Sequence, residues 1–290
     1  MRAMPTTLIE PRELAAHLTE PDWAIVDCRF DLARPEWGAE VFATGHIPHA
    51  VYAHLDRDLS APRTAHSGRH PLPQPEVLAA TFGRFGIDER VQVIAYDQGT
   101  GAFAARLWWL LRWLGHPQVA VLNGGLAAWE SAGLPLERRS EPRAPRSFTA
   151  RADARLLVTG SQVADAVRSG ALGRGEGLLI DARSADRFAG ENETIDRVAG
   201  HIPGARNHPF ASNLDAQGRF LDAGRLRDSW QRTLRGRSPQ ALISMCGSGV
   251  TACHNLLALE AAGLSGARLY AGSWSEWITD PAHEVARGSE

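Results

Sequence analysis

The sequence has little of what a cross-linked, zinc-bound or membrane-spanning protein needs. Cysteine occurs three times in 290 residues, as Cys28, Cys246 and Cys253. Three cannot form a paired framework, and none has the close spacing of a zinc or dithiol motif, so reduced thiols in the cytoplasm are expected. Apolar runs are short: the most apolar stretch, Ala102 to Leu114, is interrupted by Arg106 and Arg112, and Met1 to Leu18 holds no apolar core of signal-peptide length. Neither a spanning helix nor a leader is expected. A formal net charge of −2 leaves no electrostatic footprint for nucleic acid or an anionic membrane. The denser basic stretches, 138–155 and 225–237, read as solvated linker and helix faces. What is present is 44 % hydrophobic and 22 % charged, the composition of a soluble globular chain, with length for about two domains.

The two halves repeat one plan. Trp23-Ala24-Ile25-Val26-Asp27 reads as a strand followed by Gly45-His46-Ile47-Pro48, and Leu178-Leu179-Ile180-Asp181 as a strand followed by Gly200-His201-Ile202-Pro203. Asp27 recurs as Asp181 and Gly45 as Gly200, offsets of 154 and 155 residues, and Gly124 recurs as Gly272 at 148. Strands alternating with helical patterns predict an α/β fold in each half, a parallel sheet with helices on both faces and function in the loops at strand C-termini. Thr7 to Leu14 reads as a short opening helix. The proline-rich, charged and aperiodic stretch from Leu134 reads as a linker within 134–155, which predicts domains over 1–140 and 155–290. Asp27, Arg29 and His46 recur as Asp181, Arg183 and His201. Their presence in both halves favours a structural turn.

What does not repeat is the end of one strand. Ala241 to Met245 runs into Cys246-Gly247-Ser248-Gly249-Val250-Thr251, and an apolar stripe at helical spacing follows from Leu256. The two glycines let the backbone curl around the sulfur and aim loop N–H groups at it, just ahead of a helix N-terminus, which favours an anion. The thiolate is the nucleophilic form of cysteine, so Cys246 reads as a nucleophile. The matching position of the first half is Asp97. A carboxylate cannot do sulfur chemistry, so only the second half is competent for it. Cys253, about two helical turns beyond Cys246, reads as core.

Cys246 through Ala252 resembles the active-site loop of the rhodanese superfamily, in the form typical of 3-mercaptopyruvate sulfurtransferases, and Ala267 through Trp277 resembles that superfamily's C-terminal signature. With the repeat, the likeness extends over nearly the whole chain. It implies two tandem rhodanese-like domains, the second catalytic through Cys246. It further implies that Ser248, His70 and an acid, Asp56 or Asp58, manage a proton, and that Arg187 and Arg197 hold the substrate. Gly247, Gly249, Val250 and Thr251 would surround the donor. A guanidinium fork suits a planar α-keto acid. His66 and His70 are spaced like a metal pair, but Gly68 and Pro71 argue against a helix there and no third ligand is evident.

The activity implied is transfer of sulfane sulfur from 3-mercaptopyruvate, through a Cys246 persulfide, to a thiol or cyanide acceptor, with release of pyruvate. The implied partner is a small thiol or a thioredoxin-like protein, and no metal or organic cofactor is required. Thiosulfate is the alternative donor. Relatives that prefer it carry two cations directly after the cysteine, where this chain has Gly247 and Ser248. A phosphatase loop needs an arginine where Val250 and Thr251 stand. A non-enzymatic sulfur relay would need only the cysteine and a docking surface, and the substrate-gripping residues argue against it.

Overall fold

The computed structural model describes residues 4–139, 141–174 and 176–289, so the expected domain limits at 1, 140 and 290 lie outside the described residues. The chain divides into two compact units. The first holds residues up to Ala61, Leu72–Asp153 and Ala216–Phe220; the second holds Pro62–Pro71, Ala154–Asp215 and the residues from Leu221 onward.

The first unit is built on strands β1 (Leu8–Ile9), β2 (Trp23–Asp27), β3 (Val51–Tyr52), β4 (Gln92–Tyr96) and β5 (Val119–Leu122), in the order β1-β5-β4-β2-β3. Every pairing is parallel. All residues of β2 and β4 are buried, as expected of a parallel sheet covered on both faces. Leu8 and Ile9 differ from the expected helix: they pair with Val121 and Leu122 as an edge strand, and the helix begins at Pro11, whose missing N–H costs nothing in a first turn. Three apolar or polar residues before a proline do not reveal a two-residue strand, because its partner lies more than a hundred residues away.

The second unit repeats the plan with β6 (Leu178–Asp181), β7 (Arg206–Asn207), β8 (Leu242–Met245) and β9 (Arg268–Leu269), all parallel, in the order β7-β6-β8-β9. A single parallel bridge between Leu157 and Leu269 stands where β1 stood. Its core gathers Phe188, Met245, Trp274 and Trp277. The recurring residues do the same local work in each unit. Arg29 Nη2 donates to the Gly45 carbonyl at 2.7 Å and Arg183 Nη2 to that of Gly200 at 2.8 Å, each guanidinium also held by the preceding buried aspartate. His46 Nδ1 lies 2.8 Å from the Phe42 carbonyl and His201 Nδ1 2.9 Å from that of Phe188, each ring stacked on that phenylalanine.

Between β6 and β8 the chain reverses the direction in which it adds strands. Loops at the C-terminal ends of such neighbouring strands leave a crevice, and the loop after β8 begins with Cys246.

Candidate active site

Cys246 is 2 % exposed. The N–H groups of Gly249 and Ser248 point at its Sγ from 3.1 and 3.4 Å, the arrangement that favours negative sulfur. Residues after β9 clamp the loop from the other side. The Cys246 N–H donates to Ser273 Oγ at 3.0 Å, while the N–H groups of Trp274 and Ser275 donate to the carbonyls of Cys246 and Gly247 at 3.0 and 2.9 Å.

Two residues hold this geometry by an unusual backbone. Gly249 has φ +77°, and a Cβ there would lie 2.2 Å from the Ala271 carbonyl oxygen, so only glycine fits. Ser273 has φ +57°, matching Gly125 of the first unit at φ +56°. A non-glycine residue in this region costs roughly 1 kcal/mol. The serine offsets that by accepting from Cys246 N–H and donating to the Tyr270 carbonyl at 2.9 Å.

The first unit displays what such a loop binds. Asp97 is 1 % exposed, and its carboxylate accepts from the N–H groups of Gly99, Gly101, Phe103 and Ala104 at 3.0, 2.9, 2.9 and 3.3 Å. The loop path is an anion cradle, filled in one unit by the chain's own carboxylate and headed in the other by a thiol.

Around the thiol the second unit gathers polar side chains from two segments. From Pro62–Pro71 comes buried His70, whose Nδ1 lies 2.7 Å from Ser248 Oγ. Arg69 is anchored by its N–H to Ser275 Oγ at 3.0 Å. From the helix Ala185–Ala189 comes Arg187. A Cβ on Gly247 would have Arg69 Nη2 at 2.7 Å and Arg187 Nη2 at 3.6 Å as its two nearest neighbours. Burial pulls the Arg69 guanidinium down to about 10, against the pull of Cys246 in the other direction, and leaves it a cation at neutral pH. Glu193 binds Arg187 with both oxygens, at 2.9 and 3.0 Å to Nη2, and takes Arg183 Nη1 at 3.3 Å.

A rhodanese-like domain model matches the chain twice, over residues 10–132 and 164–280. The chain belongs to the rhodanese family. It is 50 % identical over 283 residues to a probable 3-mercaptopyruvate sulfurtransferase of Pseudomonas aeruginosa, covering 97 % of this chain and 98 % of that one. It is 38 % identical to a putative thiosulfate sulfurtransferase of Mycobacterium tuberculosis over 100 % of both chains. Among solved structures it is similar to the 3-mercaptopyruvate sulfotransferase of Escherichia coli, with TM-score 0.79 and 33 % identity over 93 % of this chain and 100 % of that one.

In this rhodanese-family chain the remaining predicted site residues fall in different places. Val250 and Thr251 lead from the cradle into the helix Thr251–Ala261. Arg197, expected to hold substrate, is exposed, and its guanidinium donates to the Ile278 carbonyl. The second cation beside Gly247 is Arg69 instead. Arg69 stands directly before His70 in the sequence, which is the signal that could have found it. Asp56 and Asp58 lie in the first unit on the helix Leu55–Asp58. Asp58 accepts from the His54 N–H at 2.9 Å and pairs with Arg84 at 2.6 Å, while the Asp56 N–H donates to His54 Nδ1 at 3.1 Å. Ser273 was missed as well, though a serine in the place of Gly125 in the repeat was a visible signal. Cys253 is fully buried and its thiol donates to the Gly249 carbonyl at 3.3 Å.

Proposed function

We propose that this rhodanese-family enzyme moves sulfur from 3-mercaptopyruvate to a thiol through a persulfide on Cys246. The observation that carries the proposal is the Cys246 sulfur facing two loop N–H groups, with the cations Arg69 and Arg187 beside the next residue.

Cys246 thiolate attacks the sulfur of the donor thiol. The new S–S bond forms as the donor's C–S bond breaks, and that electron pair passes to carbon as the pyruvate enolate. Arg69 and Arg187 hold the donor carboxylate, which keeps the C–S bond in line with the attacking sulfur. The Ser248 hydroxyl, backed by His70 Nδ1 at 2.7 Å, delivers the proton that converts the enolate to pyruvate. A thiol acceptor, small or on a thioredoxin-like protein, then attacks the outer sulfur and returns Cys246 as thiolate.

Charge supports mercaptopyruvate over thiosulfate. Arg69, Arg183 and Arg187 are matched around the site by Asp181, Glu193 and Asp196, so little positive surplus is left to reward a dianion. The test is turnover of both donors by one purified sample with a dithiol acceptor, with intact mass after donor alone. Expected are pyruvate release, a higher kcat/KM for mercaptopyruvate, and a species one sulfur atom heavier that Cys246→Ser does not form. A preference for thiosulfate overturns the donor, and turnover without the heavier species overturns the persulfide route.

A further inference from the structure

Asp196 lies in the fork between the two arginines beside the cradle. Its Oδ1 pairs with Arg69 and its Oδ2 accepts from Arg187 Nη2 at 3.2 Å. The side chain is 5 % exposed. Nor is it a loose surface charge, since its own N–H donates to Glu193 Oε1 at 3.0 Å and the Ile195 N–H donates to the same oxygen at 2.9 Å. Glu193 by itself already engages Arg187 through both oxygens and reaches Arg183. Arg187 would keep a carboxylate partner without Asp196, whereas the ion pair of Arg69 is with Asp196. The second carboxylate spans Arg69 and Arg187, the two cations nearest to a Cβ on Gly247 and so the two available to an anion held over the loop.

We propose that Asp196 is the specificity-determining residue of the site, a carboxylate of the chain standing in for the donor's carboxylate between Arg69 and Arg187. The inference rests on the arginine pair being the donor's anchor, as in the sulfur-transfer mechanism above. Asp196 pairs with Arg69 Nη1 while Arg69 Nη2 faces Gly247, so a donor carboxylate held over the loop shares these guanidinium groups with Asp196 and every anion binds beside its charge. Repulsion between like charges a few ångströms apart scales with the donor's charge, and a dianion is penalised about twice as much in free energy as a monoanion. Asp196 thereby admits a monoanionic α-keto acid and turns away thiosulfate without any contact that reads the keto group.

The deciding measurement is anion binding without turnover. In the Cys246→Ser protein, Asp196→Asn should tighten thiosulfate at least tenfold and pyruvate by about threefold, measured by calorimetry, with both effects shrinking at high salt because the repulsion is screened. In the protein with Cys246 intact, Asp196→Asn should raise the thiosulfate-to-mercaptopyruvate ratio of kcat/KM by a few-fold, chiefly through KM for thiosulfate. Asp196→Glu keeps the charge and should keep the wild-type ratio, and Asp196→Ser provides a second neutral variant should the asparagine protein fail to fold. Unchanged or weaker binding of both anions in a folded neutral variant would overturn the proposal, because it would mean that Asp196 only holds the arginines in place. A wild type that does not turn over mercaptopyruvate would count against the sulfur-transfer assignment, while the calorimetric arm would still decide the role of Asp196.

Discussion

At Gly249 and Cys253 adjoining parts of one loop and helix make opposite demands on substitution. Gly249 combines φ +77° with a carbonyl oxygen 2.2 Å from any added Cβ. Gly249→Ala must shift the Ala271 backbone or the loop, a strain of about 1–3 kcal/mol, and must move the N–H that faces the sulfur. We expect a fall in Tm and at least a hundredfold loss of kcat/KM for sulfur transfer. Cys253→Ser keeps a donor to the Gly249 carbonyl on a side chain of similar size, and should retain most of the activity. A Cys253→Ser protein as inactive as Cys246→Ser would show that the second thiol takes part in the chemistry.

The helix that follows the loop, Thr251–Ala261, shows how an element can be buried and still carry polar groups. Its residues from Ala252 to Leu259 are all buried, including His254 and Asn255. Asn213 answers both: its Nδ2 donates to Asn255 Oδ1 at 2.8 Å and lies 3.3 Å from His254 Nδ1, while its Oδ1 accepts from Trp230 Nε1 at 3.1 Å. His208 joins the network through Thr233 Oγ1 at 2.9 Å and stacks on Trp230 at 3.9 Å. Burial, with a smaller push from Arg232, holds the His208 imidazole down to about 4. In the unfolded chain it titrates near 6.5, so between these values the unfolded state binds more protons and stability falls as the solution is acidified. The contribution is complete above pH ~6.5 and up to about 3 kcal/mol is lost by pH ~4. Urea unfolding from pH 7.5 down to 4.5 should show this slope in the wild type and a flatter one in His208→Gln. An equal acid slope in both proteins would remove His208 as its source.

Across the whole molecule, the boundaries of the units do not follow the order of the chain. Pro62–Pro71 lies within the first half of the sequence but belongs to the second unit, and it supplies that unit's site with Arg69 and His70. Replacing residues 62–71 by a glycine-serine segment of equal length removes both groups while leaving every strand of either sheet in place. Sulfur transfer from mercaptopyruvate should fall by a factor of about 1,000 or more, as expected when an anchor and a proton donor are lost together. The circular dichroism spectrum should stay close to that of the wild type. Activity within tenfold of wild type would mean that the segment is not part of the site.

The sequence by itself determined the parallel α/β fold, its duplication, the cradle and the cysteine at its head, because each is a local pattern. Burial on two faces writes an apolar run, a tight loop at a strand end writes glycines, and a shared plan repeats them at a fixed offset. His70 and Arg187 came within reach through likeness to the rhodanese family. Tertiary structure alone decided which charges meet. Arg69 rather than Arg197 stands beside Gly247, and Asp196 rather than solvent lies between Arg69 and Arg187. Arg197 and Asp196 are neighbours in sequence, yet the turn closed on Glu193 sends one to the surface and the other into the site. The physical reason is that an ion pair depends on a few ångströms between groups brought from separate loops. Neither composition nor spacing encodes that distance until the sheet, the helix and the returning segment are in place.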